Sequence, residues 1–149
     1  MFETILSIIG LFLTGGGLIY AGLQISQTRN IARGEFLLHL DELFQQHIEV
    51  HTRLRPGGKY ATGKSKPSSA EEWIAIERYM GLFERIKVLI DSKIVDLDTI
   101  DRLYGYRVFN IVANNTIRHI KLEQEASSWR DFIELWHALE RKRQKQGAS

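Results

Sequence analysis

Along this chain apolar residues first run almost unbroken and then settle into helical spacing. From Thr4 to Thr28 there is no Asp, Glu, Lys or Arg, and Ile5 to Leu23 (ILSIIGLFLTGGGLIYAGL) carries only the mild polar interruptions Ser7 and Thr14. At about 1.5 Å per residue, a helix of this length approaches the ~30 Å hydrocarbon layer of a bilayer. It offers no polar face to water, which a helix on a soluble core needs. The pattern predicts a transmembrane anchor within residues 1–28. A cleaved signal peptide would begin with basic residues and end at a small-residue site, whereas this chain opens Met-Phe-Glu and shows no A-x-A pattern.

After the apolar run no proline occurs before Pro56, so the helix is expected to continue into water. Leu37, Leu40, Phe44 and Ile48 form its stripe, flanked by Phe36, Leu43 and Leu54, with Gly34 as a bend or close-packing point. The Gly-, Pro- and Lys-containing stretch around RPGGKYATGKSKPSS reads as an exposed loop over residues 55–70. Ser69-Ala-Glu-Glu72 is a capping box that opens a helix to about Lys93. Trp73, Ile76, Met80, Phe83 and Ile90 mark its inner face, which Tyr79, Leu82, Ile86 and Leu89 broaden. Asp98 is expected to cap a third helix running to Leu122, weakened near Asn114-Asn115. A fourth helix starts at Ser127 or Ser128 and carries Trp129, Phe132, Ile133, Trp136 and Leu139. No β alternation of useful length appears. The expected fold is all-α: an N-terminal transmembrane helix continuing into a small antiparallel bundle of about four helices, with 29–149 as the helical domain.

Charge adds an orientation to this picture. Arg29 and Arg33 follow the span and Glu3 precedes it, so the positive-inside rule predicts a cytoplasmic C-terminal domain. The formal net charge of only +2 does not suggest a nucleic-acid binder. The chain has no cysteine, which excludes disulfides, thiolate metal sites and a cysteine nucleophile. Within the span Gly10, Thr14, Gly17 and Ala21 share one helix face, a seam on which a second helix can pack closely. Membrane lipid and a second copy, or a protein partner at the membrane, are the expected partners.

Four features invite chemical readings. Gly58 to Ser65 (GKYATGKS) matches the phosphate-binding loop G-x-x-x-x-G-K-[ST]. That loop needs a strand before it and a helix after it, whereas HIEVHTRLR precedes it with helical pattern and Pro67 follows. Nucleotide binding is therefore a minor alternative. His47 and His51, at i and i+4, share a face as metal ligands would, but they lie on or beside the apolar stripe and read first as core or interface residues. Arg107, Asn114 and Arg118 align with Ile100, Leu103 and Ile111, and charges on such a face require partners. Glu77, Glu84 and Asp91 are the natural acids, with Arg107–Glu84 the specific pair expected; the same cluster is the candidate ligand pocket. The basic tail Arg141, Lys142, Arg143 and Lys145 reads as a solvated helix end. No catalytic, metal or cofactor residues are indicated, and no enzyme is expected.

The apolar Ile5–Leu23, the following QTRNIAR, then YMGLFERIKVLIDSKIVDLDTIDRLYGYR and WRDFIELWHALE together resemble a broad bacterial family of small single-span proteins. Such proteins carry a helical domain of unknown function behind the anchor. The resemblance covers most of the chain and implies a protein of the prophage- and defence-associated type at the bacterial inner membrane. What it implies about function is an interaction or scaffold role in phage exclusion or defence. A membrane-perturbing oligomeric effector or toxin is the alternative.

Overall fold

The computed structural model describes residues 24, 27, 28, 30–61 and 65–147. The expected span and its seam Gly10, Thr14, Gly17 and Ala21 lie outside the described residues. Among the described residues no helix is long and apolar enough to cross a membrane. The chain divides into two compact units, residues 1–41 and 42–149. In the first, residues 30–41 are helical, with Ile31 and Leu38 more than 60% exposed although both are large and apolar.

The second unit is all-helical among its described residues. Helical residues 42–46 (α1) lead through a turn at His47 into α2 (Ile48–Leu54). That turn breaks the long helix expected from the sequence and changes the phase of its stripe. Phe44 stays buried, but Ile48 is left exposed and Val50 and Leu54 are buried instead. The central element is α3 (Ala70–Asp91), capped by the Ser69 hydroxyl, which accepts from the Glu72 N–H at 3.2 Å. It ends at Ser92 and Lys93, the latter in the left-handed region at φ 57°.

Asp96, rather than Asp98, caps the third helical segment, accepting from the Thr99 N–H at 2.7 Å. The segment runs as α4 (Leu97–Ile100), a π-helical turn (Asp101–Gly105) and α5 (Tyr106–Val112). The wide turn shifts the face of the helix, which is why Leu103 is 45% exposed although it was expected beside Ile100 in the core. At Asn114 the backbone turns extended (ψ 109°) and the helix stops. It restarts as α6 (Asn115–Ile117), which continues π-helically through Arg118–Gln124. A short 3₁₀ turn (Ala126–Ser128) then delivers α7 (Arg130–Gly147).

Burial joins α3 to α7. Ile76, Tyr79, Met80, Leu82, Phe83 and Ile86 of α3 are buried, as are Phe132, Leu135 and Leu139 of α7. Phe83 meets Phe132 edge-on, with ring centres 6.0 Å apart, a favoured aromatic geometry. The buried row of α7 therefore runs through Leu135, while Trp136, placed inward by the sequence, is only half-buried and stacks on His137.

Candidate functional site

Arg107 is the least expected occupant of the core. It sits on α5 with 9% of its surface exposed. Its predicted partner, Glu84, does not meet it. Its Nη1 instead donates to the Tyr79 hydroxyl at 3.3 Å, and its guanidinium lies 4.7 Å from the centre of the Phe44 ring and 5.5 Å from that of Tyr106. Aromatic faces accept a cation where a carboxylate would have to be desolvated too, so α1, α3 and α5 hold the charge without an acid. Its Nε is buried with no hydrogen-bond partner among the described residues. Burial pushes the Tyr79 hydroxyl up to about 12, although Arg107 pulls the other way. The same hydroxyl lies 3.4 Å from His51 Nδ1. Arg107, Tyr79 and His51 thus form a chain from the core to the partly open rim of α2. Burial first, then the charges of Arg107 and Arg55, lower the pKa of His51. His47 is lowered by burial and then by Arg78.

Asn114 is fully buried and acts in two directions. Its Oδ1 accepts from the Ile117 N–H at 3.0 Å and caps α6. Its Nδ2 donates to the carbonyls of Tyr60 (2.8 Å) and Ser65 (3.1 Å), so one amide straps both sides of the stretch that resembles a phosphate-binding loop. The loop folds back on α2: the Tyr60 N–H donates to Arg53 O at 2.7 Å, and the Gly58 N–H to Arg55 O at 2.8 Å. A Cβ at Gly58 would run into the carbonyl oxygens of Thr52 and Arg53, so glycine is required there by close packing on a helix end. Tyr60 and Pro67 are driven into the interior, though most of the loop's other described residues are exposed. A helix precedes this stretch where a nucleotide site would have a strand, and no strand is present among the described residues.

Glu72 secures the other side of the loop. It accepts from Arg53 at 3.1 Å, Lys59 at 3.0 Å, the Ser68 N–H at 2.7 Å and the Ser68 hydroxyl at 2.9 Å. The capping box is thus reached one residue earlier than the standard pattern, at Ser68 rather than Ser69. The Ser68 N–H first, then Tyr60, Lys59 and the Ser68 hydroxyl, hold this carboxyl far below the usual range.

The remaining predicted residues separate. Glu77 pairs with Lys121 at 2.5 Å, and Lys121 also meets Glu125 at 2.8 Å and the face of Trp73. Lys121 is only 6% exposed, and its i+4 acid Glu125 is the one signal of this pairing that the sequence carries. Glu84 accepts from the Phe132 N–H at 3.4 Å in the first turn of α7, and burial pushes its carboxyl up. Arg118 stays near the surface, bonded to Asn115 at 3.2 Å and 3.9 Å from Glu123. Asp91 pairs with Lys87, so the residues predicted as one polar cluster serve separate contacts. No group of three or more His, Cys, Asp or Glu able to hold a metal occurs among the described residues.

An all-α domain built round the long helix α3, with a buried arginine on aromatic rings and an asparagine strap, is the class these features define. Residues 11–139 match the family described as Domain of unknown function (DUF4760), and the chain belongs to that family. No curated protein and no solved structure matches it.

Proposed function

We propose that this chain is a non-enzymatic interaction module held at the inner face of a bacterial membrane. Residues 5–23 would cross the bilayer and residues 29–149 would lie on the cytoplasmic side, assembling with further copies or recruiting a protein partner. The observation that carries the reading is the uncharged run Thr4–Thr28 followed at once by Arg29 and Arg33. The family match begins inside that run, at residue 11, so part of it belongs to the family's own pattern. Anchoring raises effective concentration, so weak contacts between domains suffice for assembly. A part in phage exclusion or membrane-linked defence belongs to the same reading.

Alkaline carbonate extraction of membranes from cells expressing the full chain tests it. Retention in the pellet, with the C-terminus digested only when the inner face is exposed, is expected; release into the supernatant defeats the proposal. Replacing Gly10 and Gly17 by Ile should reduce cross-linked oligomers, since bulky residues keep two helices apart along the seam. Membrane potential is expected to stay intact on expression, and its collapse would favour a membrane-perturbing effector.

A further inference from the structure

The cations of α3 are treated unequally. Lys87 is tied to Asp91 at 2.6 Å and to Glu134 at 3.1 Å. Arg78 and Arg85, nine and two residues before it on the same helix, are exposed and have no acidic partner among the described residues. Both line a groove of about 560 Å³ between α3 and the end of α1, closed on the far side by Leu43, Gln46 and His47. Gly81 stands between the two arginines, and a Cβ there would meet nothing within 4 Å, so the floor of the groove is open. Glu77, the acid at the groove, is already engaged by Lys121. The nearness of Arg78 is felt at His47, whose pKa it lowers after burial has done so.

Two guanidinium groups spaced two turns apart, with a histidine across a trough and no acid paired with them among the described residues, form an unspent positive site. Guanidinium forks pair bidentately with tetrahedral oxyanions, and two of them match a group able to carry two charges better than a single carboxylate. We propose that the groove of Arg78, Gly81, Arg85 and His47 binds a phosphate monoester. That chemistry is offered by a soluble phosphate ester or by the headgroup of phosphatidic acid. The site lies wholly within residues 42–149 and does not depend on the membrane reading above.

The test uses the full chain in neutral maltoside micelles, with the side-chain N–H signals of Arg78 and Arg85 and the ring signals of His47 followed by NMR. Glycerol 3-phosphate is titrated in one arm, phosphatidic acid mixed into the micelles in a second, and acetate in a third. Saturable shifts with one or both phosphate probes, and none with acetate, are expected; response to phosphatidic acid alone assigns the lipid headgroup. In Arg78→Gln/Arg85→Gln, followed at His47, affinity should fall about tenfold or more, because charge-assisted bonds are lost. Gly81→Leu should fill the trough and weaken binding with helicity and melting temperature preserved, since leucine favours helix over glycine. Should Gly81→Leu fail to fold, the double glutamine variant decides alone. No saturable shift with either phosphate probe, an equal response to acetate, or double-variant binding as tight as that of the parent chain overturns the proposal.

Discussion

The flank where α3 packs on α7 and the end where the 55–61 turn folds onto α2 are built on opposite principles. The first is mainly apolar: Phe83, Phe132, Leu135 and Leu139 are 0% exposed and meet through apolar surface and aromatic edges, with the Lys87–Glu134 pair and the Glu84–Phe132 bond beside them. The second depends on a few directed polar groups, with Asn114 bonding to Tyr60 and Ser65 and Glu72 gathering Arg53, Lys59 and Ser68. Apolar burial is non-directional and scales with area, so the flank spreads its stability over many residues. Hydrogen bonds to otherwise buried groups concentrate cost on single atoms, so the turn depends on one or two side chains.

The sharpest test of this contrast is truncation on each side, read by urea unfolding of the full chain followed by tryptophan fluorescence. Phe83→Ala should cost about 3–5 kcal/mol, the range for emptying a packed aromatic site. Asn114→Ala should cost about 2–4 kcal/mol, combining a lost helix cap with two carbonyls left without their donor. Besides the global loss, cleavage by trypsin after Lys59 should accelerate in Asn114→Ala and not in Phe83→Ala measured at matched stability. If both variants open the loop equally, the two regions are not separable in the way described.

Arg107→Met should change stability by no more than about 1 kcal/mol, because the arginine has an unpartnered Nε and an apolar chain of similar length can lie on Phe44. A loss as large as that of Phe83→Ala would show that the guanidinium, not its stem, organises the core. The smallest effect is the response to pH. His47 and His51 have folded pKa values lowered from 6.5, so between those values and 6.5 the unfolded chain binds more protons. Stability is therefore full above 6.5 and declines as pH falls through that window, and His51→Gln should flatten the decline. Glu72, lowered from 4.5, adds stability that is present above 4.5 and lost only at stronger acid. A melting temperature that rises on acidification from pH 7 to pH 5.5 would contradict the histidine assignment.

The two sides also differ in how far the sequence discloses them. Ile76, Met80, Phe83, Phe132 and Leu139 are inside as their helical spacing indicates, since that spacing is a property of the segment itself. Leu135 replaces Trp136 because seating between neighbours, not spacing alone, chooses among adjacent apolar residues. Ile48 and Leu103 escape the core through the turn at His47 and the π-helical turn at Asp101–Gly105, both of which change phase within a continuous pattern. The polar contacts are harder to read, because partners such as Asn114 and Tyr60 lie 54 positions apart. A charge on an apolar face calls for a partner, but no periodicity reveals that aromatic rings and the Tyr79 hydroxyl would meet Arg107 in place of an acid. Gly58 in the loop-like stretch is hard to read for a related reason: it answers to the crowding at the end of α2.

Because a single amide holds the loop through its nitrogen and starts α6 through its oxygen, exchanging one atom would uncouple the two. Asn114→Asp keeps the shape and the accepting oxygen but sets a second acceptor against two carbonyls. The strap would let go while the helix kept its beginning, so an isosteric replacement turns a shared fastening into two independent ones.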